Sequence, residues 1–384
     1  MKKIVCVMLC PMLVILPVGV TVSAEETIPV EVKAKAAVLM DGTTGKVLMK
    51  MNENEKLYPA SVTKIMTLLL VMEAIDSNKI RLTDIVTTSP VAASKGGSQI
   101  WLKEGEQMSV DELLKATAVY SANDACTALG EYIAGSDEGF VAMMNERAAE
   151  LGMKNTHFEN CTGLDDDAQN HLTTAYDIAL MSKELMKHEL IKEYTTIWMD
   201  SLRDGKTELV NTNKLIRFYN GATGLKTGTT NKAGCCVAAT ATRDGTSLIA
   251  VVMGSDNSTD RFEGAKAMLN WGFANYETVT PEIDYSIISD VRVLKGTDAY
   301  VTPTADEVKP ITLQKGMKDR IETEITLAES IEAPCEENQI LGKITLTVDG
   351  EAVGEINIRS KNSVERINFG VMLLRFLKVL SKSL

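Results

Sequence analysis

The stretch LYPASVTKIMTLLL, Leu57–Leu70, places Ser61 and Lys64 three residues apart at the head of an apolar run. Pro59 and Ser61 suit the opening positions of a helix. Read alone, the stretch is an ordinary helix start with Lys64 pointing to water. Read as chemistry, it sets an amine one turn after a hydroxyl, on the same helical face. The remainder of the chain has to decide between the two.

The chain has 384 residues, room for two ordinary domains or one large and one small. Its net charge of −12 argues against a nucleic-acid partner, because phosphate binding needs a basic face. The N-terminus carries an address. Lys2 and Lys3 precede an apolar run from Ile4 to Val20, and Val22-Ser23-Ala24 offers small residues before Glu25 and Glu26. Residues 1–24 are expected to be a secretory signal peptide cleaved after Ala24, so the mature chain works outside the cytoplasm. No later stretch is long and apolar enough to span a bilayer. Two of the seven cysteines, Cys6 and Cys10, leave with the signal, and the five that remain read as mostly buried free thiols. With no C-x-x-C pair and no histidine cluster, nothing in the sequence points to a metal or an organic cofactor.

Ala36 to Met40 and Lys46 to Met49 flank the turn Asp41–Gly45 and read as two strands. A helical pattern runs from about Val110 to Met186. Strands return near Lys226, where Cys236 to Thr242 and Ser247 to Met253 flank Arg243-Asp244-Gly245-Thr246 in a hairpin pattern. Strands from both ends and helices from the middle assemble most simply into an α/β (α+β) fold, one antiparallel sheet with helices packed on it. From about Glu282 to Ser360 the runs are short and alternating, clearest at Ile344, Leu346, Val348 and Val353, Ile356, Ile358, and read as a small all-β domain. In the tail, Phe369, Leu373, Phe376, Leu377, Leu380 and Leu384 share one helical face while Arg375, Lys378 and Lys382 cluster opposite. A short, basic, terminal helix of this pattern fits a membrane surface. The expected divisions are 1–24, 25–276, 277–362 and 363–384.

Two further short motifs follow the first. VYSANDACTALG contains Ser121 and Asn123, and NGATGLKTGTTNKAGCCVAATA contains Lys226, Thr227 and Gly228 just before a strand. Each alone is weak. In the order S-x-x-K, S-x-N, K-T-G they are highly specific, and here the chain resembles the penicillin-binding proteins. It is most similar to the low-molecular-mass serine D-alanyl-D-alanine carboxypeptidases. YPASVTKIMT, KTGTTNKAG, the DRF at Asp260–Phe262 and WGFANYETVTP extend the likeness over signal, peptidase domain, small β domain and tail.

The resemblance implies a β-lactamase/DD-peptidase-like fold and a set of roles. Ser61 would be the nucleophile and Lys64 its base, with a pKa lowered by burial or by a nearby cation, for which Lys226 is the candidate. Ser121 would relay a proton to the leaving amine. Asn123 would hold Lys64 and the substrate amide. Lys226 and Thr227 would bind the substrate's terminal carboxylate, Gly228 and Thr229 would continue the strand beside it, and the N–H groups of Ser61 and Thr229 would form the oxyanion hole. Arg261 either assists with the carboxylate or makes a surface salt bridge. The implied partners are peptidoglycan stem peptides ending in D-Ala-D-Ala, β-lactam antibiotics and, through the tail, the outer face of the cytoplasmic membrane.

Other readings are weaker. A class A β-lactamase would deacylate with a glutamate in an E-x-x-L-N stretch, absent between Asn123 and Lys226. A DD-endopeptidase differs only in substrate choice. A non-catalytic wall-binding protein would be favoured by loss of Ser61, Lys64 or Lys226, and all three are present. A Ser-His-Asp triad would need His157, His171 or His188 beside a serine, and no G-x-S-x-G elbow exists. Asp165 to Asp167 lack EF-hand spacing and read as a solvated loop. Thr229 stands where some relatives carry histidine, and Cys235-Cys236 on the following strand has no physical account from sequence.

Overall fold

The computed structural model describes residues 29–166 and 168–380. The signal segment 1–24 and the tail residues Lys382 and Leu384 lie outside them. The central sheet contains β1 (Ala36–Asp41), β2 (Val47–Met51), β3 (Ala222–Thr230), β4 (Gly234–Arg243) and β5 (Thr246–Ser255). Its order is β2-β1-β5-β4-β3 with every neighbouring pair antiparallel, so the N-terminal hairpin joins strands more than 200 residues later. Pairing runs from Ala36 with Met253 to Asp41 with Leu248. Among the described residues, β3 ends the sheet and its outer edge pairs with no strand.

The sheet is buried on both faces, which explains why β5 is an almost continuous apolar run. Val38, Met40, Ile249 and Val251 face one core; Leu39, Leu248, Ala250 and Val252 face the other, as strand alternation requires. The second core is covered by a long C-terminal helix, residues 258–275, through Phe262, Met268, Leu269 and Phe273. The first contains α1 (Lys64–Asp76), buried from Lys64 through Met72, which makes it a helix of the interior rather than of the surface. Around it pack α2 (Asn123–Ala134), α3 (Asp137–Glu150) and α4 (Ala175–Leu185). The helix at 258–275 is then α5 (Ser258–Asn275), and the tail helix is α6 (Phe369–Leu380). The helical pattern of the middle region is broken between α3 and α4 by a long loop, residues 151–174.

After α5 the chain passes directly into strand Tyr276–Val279, paired with Ile311–Gln314. A four-stranded antiparallel sheet follows, with Ile340–Val348 and Glu351–Ser360 as its central hairpin; Ile344, Leu346, Ile356 and Ile358 form its core. A smaller sheet adds Val291–Leu294, and Val364 packs into its core beside Cys335. The small domain meets the first through polar contacts: the Thr278 hydroxyl donates to the buried Asp41 carboxylate at 2.5 Å, and Lys46 donates to the Thr312 carbonyl at 3.2 Å. On α6, Phe369, Met372, Leu373 and Leu377 are exposed. No described helix is long and apolar enough to cross a membrane.

Candidate active site

Ser61 sits in a single 3-10 turn, Ala60–Thr63, that runs straight into α1. Ala60, Val62 and Thr63 are buried and Ser61 is half-buried, so the turn presents the serine while its neighbours anchor it. Two glycines shape this corner. Gly163, at φ +86°, lies so close that a Cβ there would stand 1.8 Å from the Ala60 carbonyl oxygen. Gly228 lies flush on the other side, where a Cβ would be 2.8 Å from the Ser61 nitrogen.

Lys64 opens α1 one turn after Ser61, and its Nζ lies 2.9 Å from Ser61 Oγ. The same nitrogen donates to Asn123 Oδ1 at 2.6 Å and to the Thr162 carbonyl at 2.8 Å. Lys64 is completely buried, and that burial lowers its pKa to about 8 against the weaker opposing pull of Cys126, Cys161 and Asp124. The like charges of Lys64 and Lys226 also oppose each other. The repulsion is felt at Lys226, whose pKa falls well below the usual lysine range, first through its own burial and then through Lys64.

The second motif is aimed by an irregular helix. Helix Val110–Lys115 is closed by a Ser109–Glu112 capping box and widens over Ala116–Tyr120 into a π-type turn. Ser121 follows in the left-handed region at φ +67°, buried, and Asn123 then begins α2. The Asn123 amide N–H donates to the Ser98 carbonyl at 2.7 Å and its Nδ2 to the Gly96 carbonyl at 2.6 Å. With both donors held, Oδ1 is turned to Lys64.

The Thr162 carbonyl was not foreseen. It belongs to a tight turn in which Asn160 Oδ1 accepts from the N–H groups of Thr162 and Gly163, at 3.1 and 2.7 Å. The signal was an Asn at the start of N-C-T-G and a Gly at its end, a turn pattern that names no acceptor. His171 secures the same loop. Its Nδ1 accepts from the Glu159 N–H at 3.0 Å, which leaves the proton on Nε2 to donate to Thr63 Oγ1 at 2.8 Å. Burial pushes its pKa down to about 4, so it is a neutral brace.

The third motif runs along β3. Lys226, Thr227 and Gly228 are buried and Thr229 is exposed. Lys226 Nζ donates to the Thr227 carbonyl at 3.1 Å, and Thr227 Oγ1 to Thr212 Oγ1 at 2.8 Å. Arg261 is not in a surface salt bridge. It is 7% exposed and donates from Nη1 to the Gly228 carbonyl and Thr229 Oγ1, both at 2.9 Å, and from Nη2 to Ser258 Oγ at 3.2 Å. It braces the end of β3 beneath the site. Asp165 also departs from the expected solvated loop: it is buried and accepts from Thr230 Oγ1 at 2.5 Å, while Lys232 donates to its carbonyl. The neighbouring Asp166 is exposed, and Asp167 lies outside the described residues.

Two family models match the chain. Residues 20–257 match the D-alanyl-D-alanine carboxypeptidase model, and residues 276–366 match the C-terminal domain of penicillin-binding protein 5. The chain is 44% identical over 348 residues to D-alanyl-D-alanine carboxypeptidase DacF of Bacillus subtilis, covering 89% of each. Among solved structures it is similar to penicillin-binding protein 5 of Haemophilus influenzae, with a TM-score of 0.80, 33% identity and coverage of 88% of this chain and 99% of that one. It is also similar to penicillin-binding protein D2 of Listeria monocytogenes in its ampicillin-bound form, at a TM-score of 0.58, 31% identity and coverage of 64% and 99%. The chain therefore belongs to the D-alanyl-D-alanine carboxypeptidase family of serine peptidases.

Proposed function

We propose that Ser61 attacks the carbonyl of the penultimate D-alanine of a peptidoglycan stem pentapeptide, releases the terminal D-alanine, and is freed when water hydrolyses the acyl-enzyme. One observation carries the proton assignment. A neutral lysine amine has two N–H groups and one lone pair. Asn123 Oδ1 and the Thr162 carbonyl, fixed acceptors at 2.6 and 2.8 Å, take the two N–H groups. The lone pair is then left for the Ser61 hydroxyl at 2.9 Å. As the Oγ–C bond forms, the proton passes from Ser61 to Lys64. It then goes by way of Ser121 to the departing amine as the C–N bond breaks.

Lys226 and Thr227 receive the substrate's terminal carboxylate. Burial disfavours the charged form of Lys226, and an incoming carboxylate supplies the counter-charge that favours it. The unpaired edge of β3 supports docking of the peptide as an added strand. The N–H groups of Ser61 and Thr229 receive the oxyanion, and Arg261 holds the Gly228–Thr229 backbone in place for it. Penicillins, carrying a strained amide in place of the scissile bond, acylate the same serine.

The chain acts outside the cytoplasm after loss of residues 1–24. Residues 25–276 are the catalytic unit, 277–362 a stalk, and 363–384 a peripheral anchor on the membrane surface, a reading supported by the exposed apolar residues of α6. Incubation with a stem pentapeptide and, separately, with a cross-linked muropeptide dimer tests the substrate. D-alanine release from the pentapeptide with the dimer intact is expected. Cleavage of the dimer with the pentapeptide intact moves the reading to an endopeptidase.

A further inference from the structure

A groove of about 710 Å³ is lined by Trp101, Lys103, Glu104, Arg203, Lys206 and Thr207 among others, and none of the roles above uses it. Trp101 is 74% exposed although it is the most apolar of these side chains, and it is held at φ +61°, where a bulky residue is strained. Its position is fixed on both sides. The Asp124 carboxylate accepts from the N–H groups of Ile100 and Leu102, at 3.2 and 2.9 Å, and Arg203 donates to the Ile100 carbonyl at 2.9 Å. Arg203 is itself locked by Glu106 at 2.7 Å and Thr207 at 2.9 Å. The backbone that carries the indole is thus fixed, and ammonium, carboxylate and hydroxyl groups line the groove around the exposed ring.

The groove and the active site are linked by one strip of chain. The strip that carries Trp101 is the strip whose Gly96 and Ser98 carbonyls hold Asn123, the partner of Lys64. Trp101 is three positions after Ser98, so their Cα atoms are within about 11 Å. A five-residue stem in extended form spans about 17 Å. Whatever is attached to the far end of a stem peptide reacting at Ser61 therefore falls within reach of Trp101.

We propose that this groove binds the amino-sugar glycan to which the stem peptide is attached, with a pyranose ring stacked on Trp101 and its hydroxyl and acetamido groups bonded by Lys103, Glu104 and Lys206. Saccharide rings present an apolar C–H face and a polar rim, and an exposed indole ringed by charged groups matches both. The inference rests on the carboxypeptidase reading but is tested separately from it.

The kinetic comparison uses the full mature chain, a free stem pentapeptide, and the same pentapeptide carrying an N-acetylglucosaminyl-N-acetylmuramic acid disaccharide. The wild-type protein is expected to show a KM about tenfold lower for the disaccharide form at equal kcat. Trp101→Ala and Lys206→Ala should close that gap while leaving the free pentapeptide kinetics and penicillin labelling unchanged. Equal KM for both substrates in the wild type, or equal losses on both in Trp101→Ala, overturns the groove and leaves the active-site assignment standing. If neither substrate is cleaved, the carboxypeptidase reading has failed and the groove is still measured. Titration of Ser61→Ala protein with a peptide-free glycan tetrasaccharide should give a saturable change in tryptophan fluorescence that Trp101→Ala abolishes. No change overturns the proposal.

Discussion

At the scale of single residues, the site depends on an amine whose burial lowers its pKa without costing it its hydrogen bonds. With its pKa at about 8, only the neutral fraction of Lys64 can accept the Ser61 proton. Below that value the fraction falls about tenfold for each pH unit. The rate should therefore rise from pH 6 toward pH 9 along a limb with its midpoint near 8. A profile of kcat/KM against pH checks this, and a midpoint near 6.5 would implicate a histidine instead. Removing the amine in Lys64→Ala should cost about 10²–10⁴ in acylation rate by penicillin, measured by stopped-flow. Ser61, Lys64 and Asn123 were legible in the sequence because their motifs are spelled in order, and the structure brings the three side chains together. The Thr162 acceptor was not, because a backbone carbonyl is aimed by a turn and any residue supplies one. Arg261 was half legible: its presence was visible, but only the structure turns its guanidinium inward to the β3 backbone.

At the scale of elements, three segments from distant parts of the chain meet with no room between them, and glycine makes the contact possible. Gly163→Ala would drive a methyl group into the Ala60 backbone at a positive φ as well. It should cost about 3 kcal/mol of stability or more and abolish activity, read by thermal unfolding and by D-alanine release. Gly228→Ala has no φ penalty and meets the Ser61 nitrogen at 2.8 Å. The expected result is a smaller loss of stability with a large loss of kcat/KM, because the shift falls on the nucleophile. Gly245→Ala, with open space around it but φ +80°, is the control, at about 1 kcal/mol and full activity. The strands and hairpins of the sheet were readable from alternation and turn residues, and so was the apolar helix behind Lys64. The loop at 151–174 was not, because His171 and Asp165 tie it to Thr63 and Thr230, far away in sequence, and no residue pattern marks the π-type turn before Ser121.

At the scale of the whole molecule, the chain reads as a catalytic unit standing on a small β domain, with a polar seam at Asp41, Thr278 and Thr312. Removing α6 by truncation after Asn368 should leave a stable, active protein that no longer sediments with membranes. Truncation after Ser360 should unfold the small domain at lower temperature, since it also removes Val364 from that domain's core. Retention of the shorter Asn368 form in the membrane fraction would remove the anchor role. The central claim is that Ser61, activated by Lys64, is the nucleophile. Its most direct test is to react the mature chain with a penicillin, digest it and locate the acyl group by mass spectrometry, alongside D-alanine release from a stem pentapeptide. The account predicts a single acylated site at Ser61, with label and release both lost in Ser61→Ala. An acyl group on another residue, or D-alanine release that survives in Ser61→Ala, would contradict it.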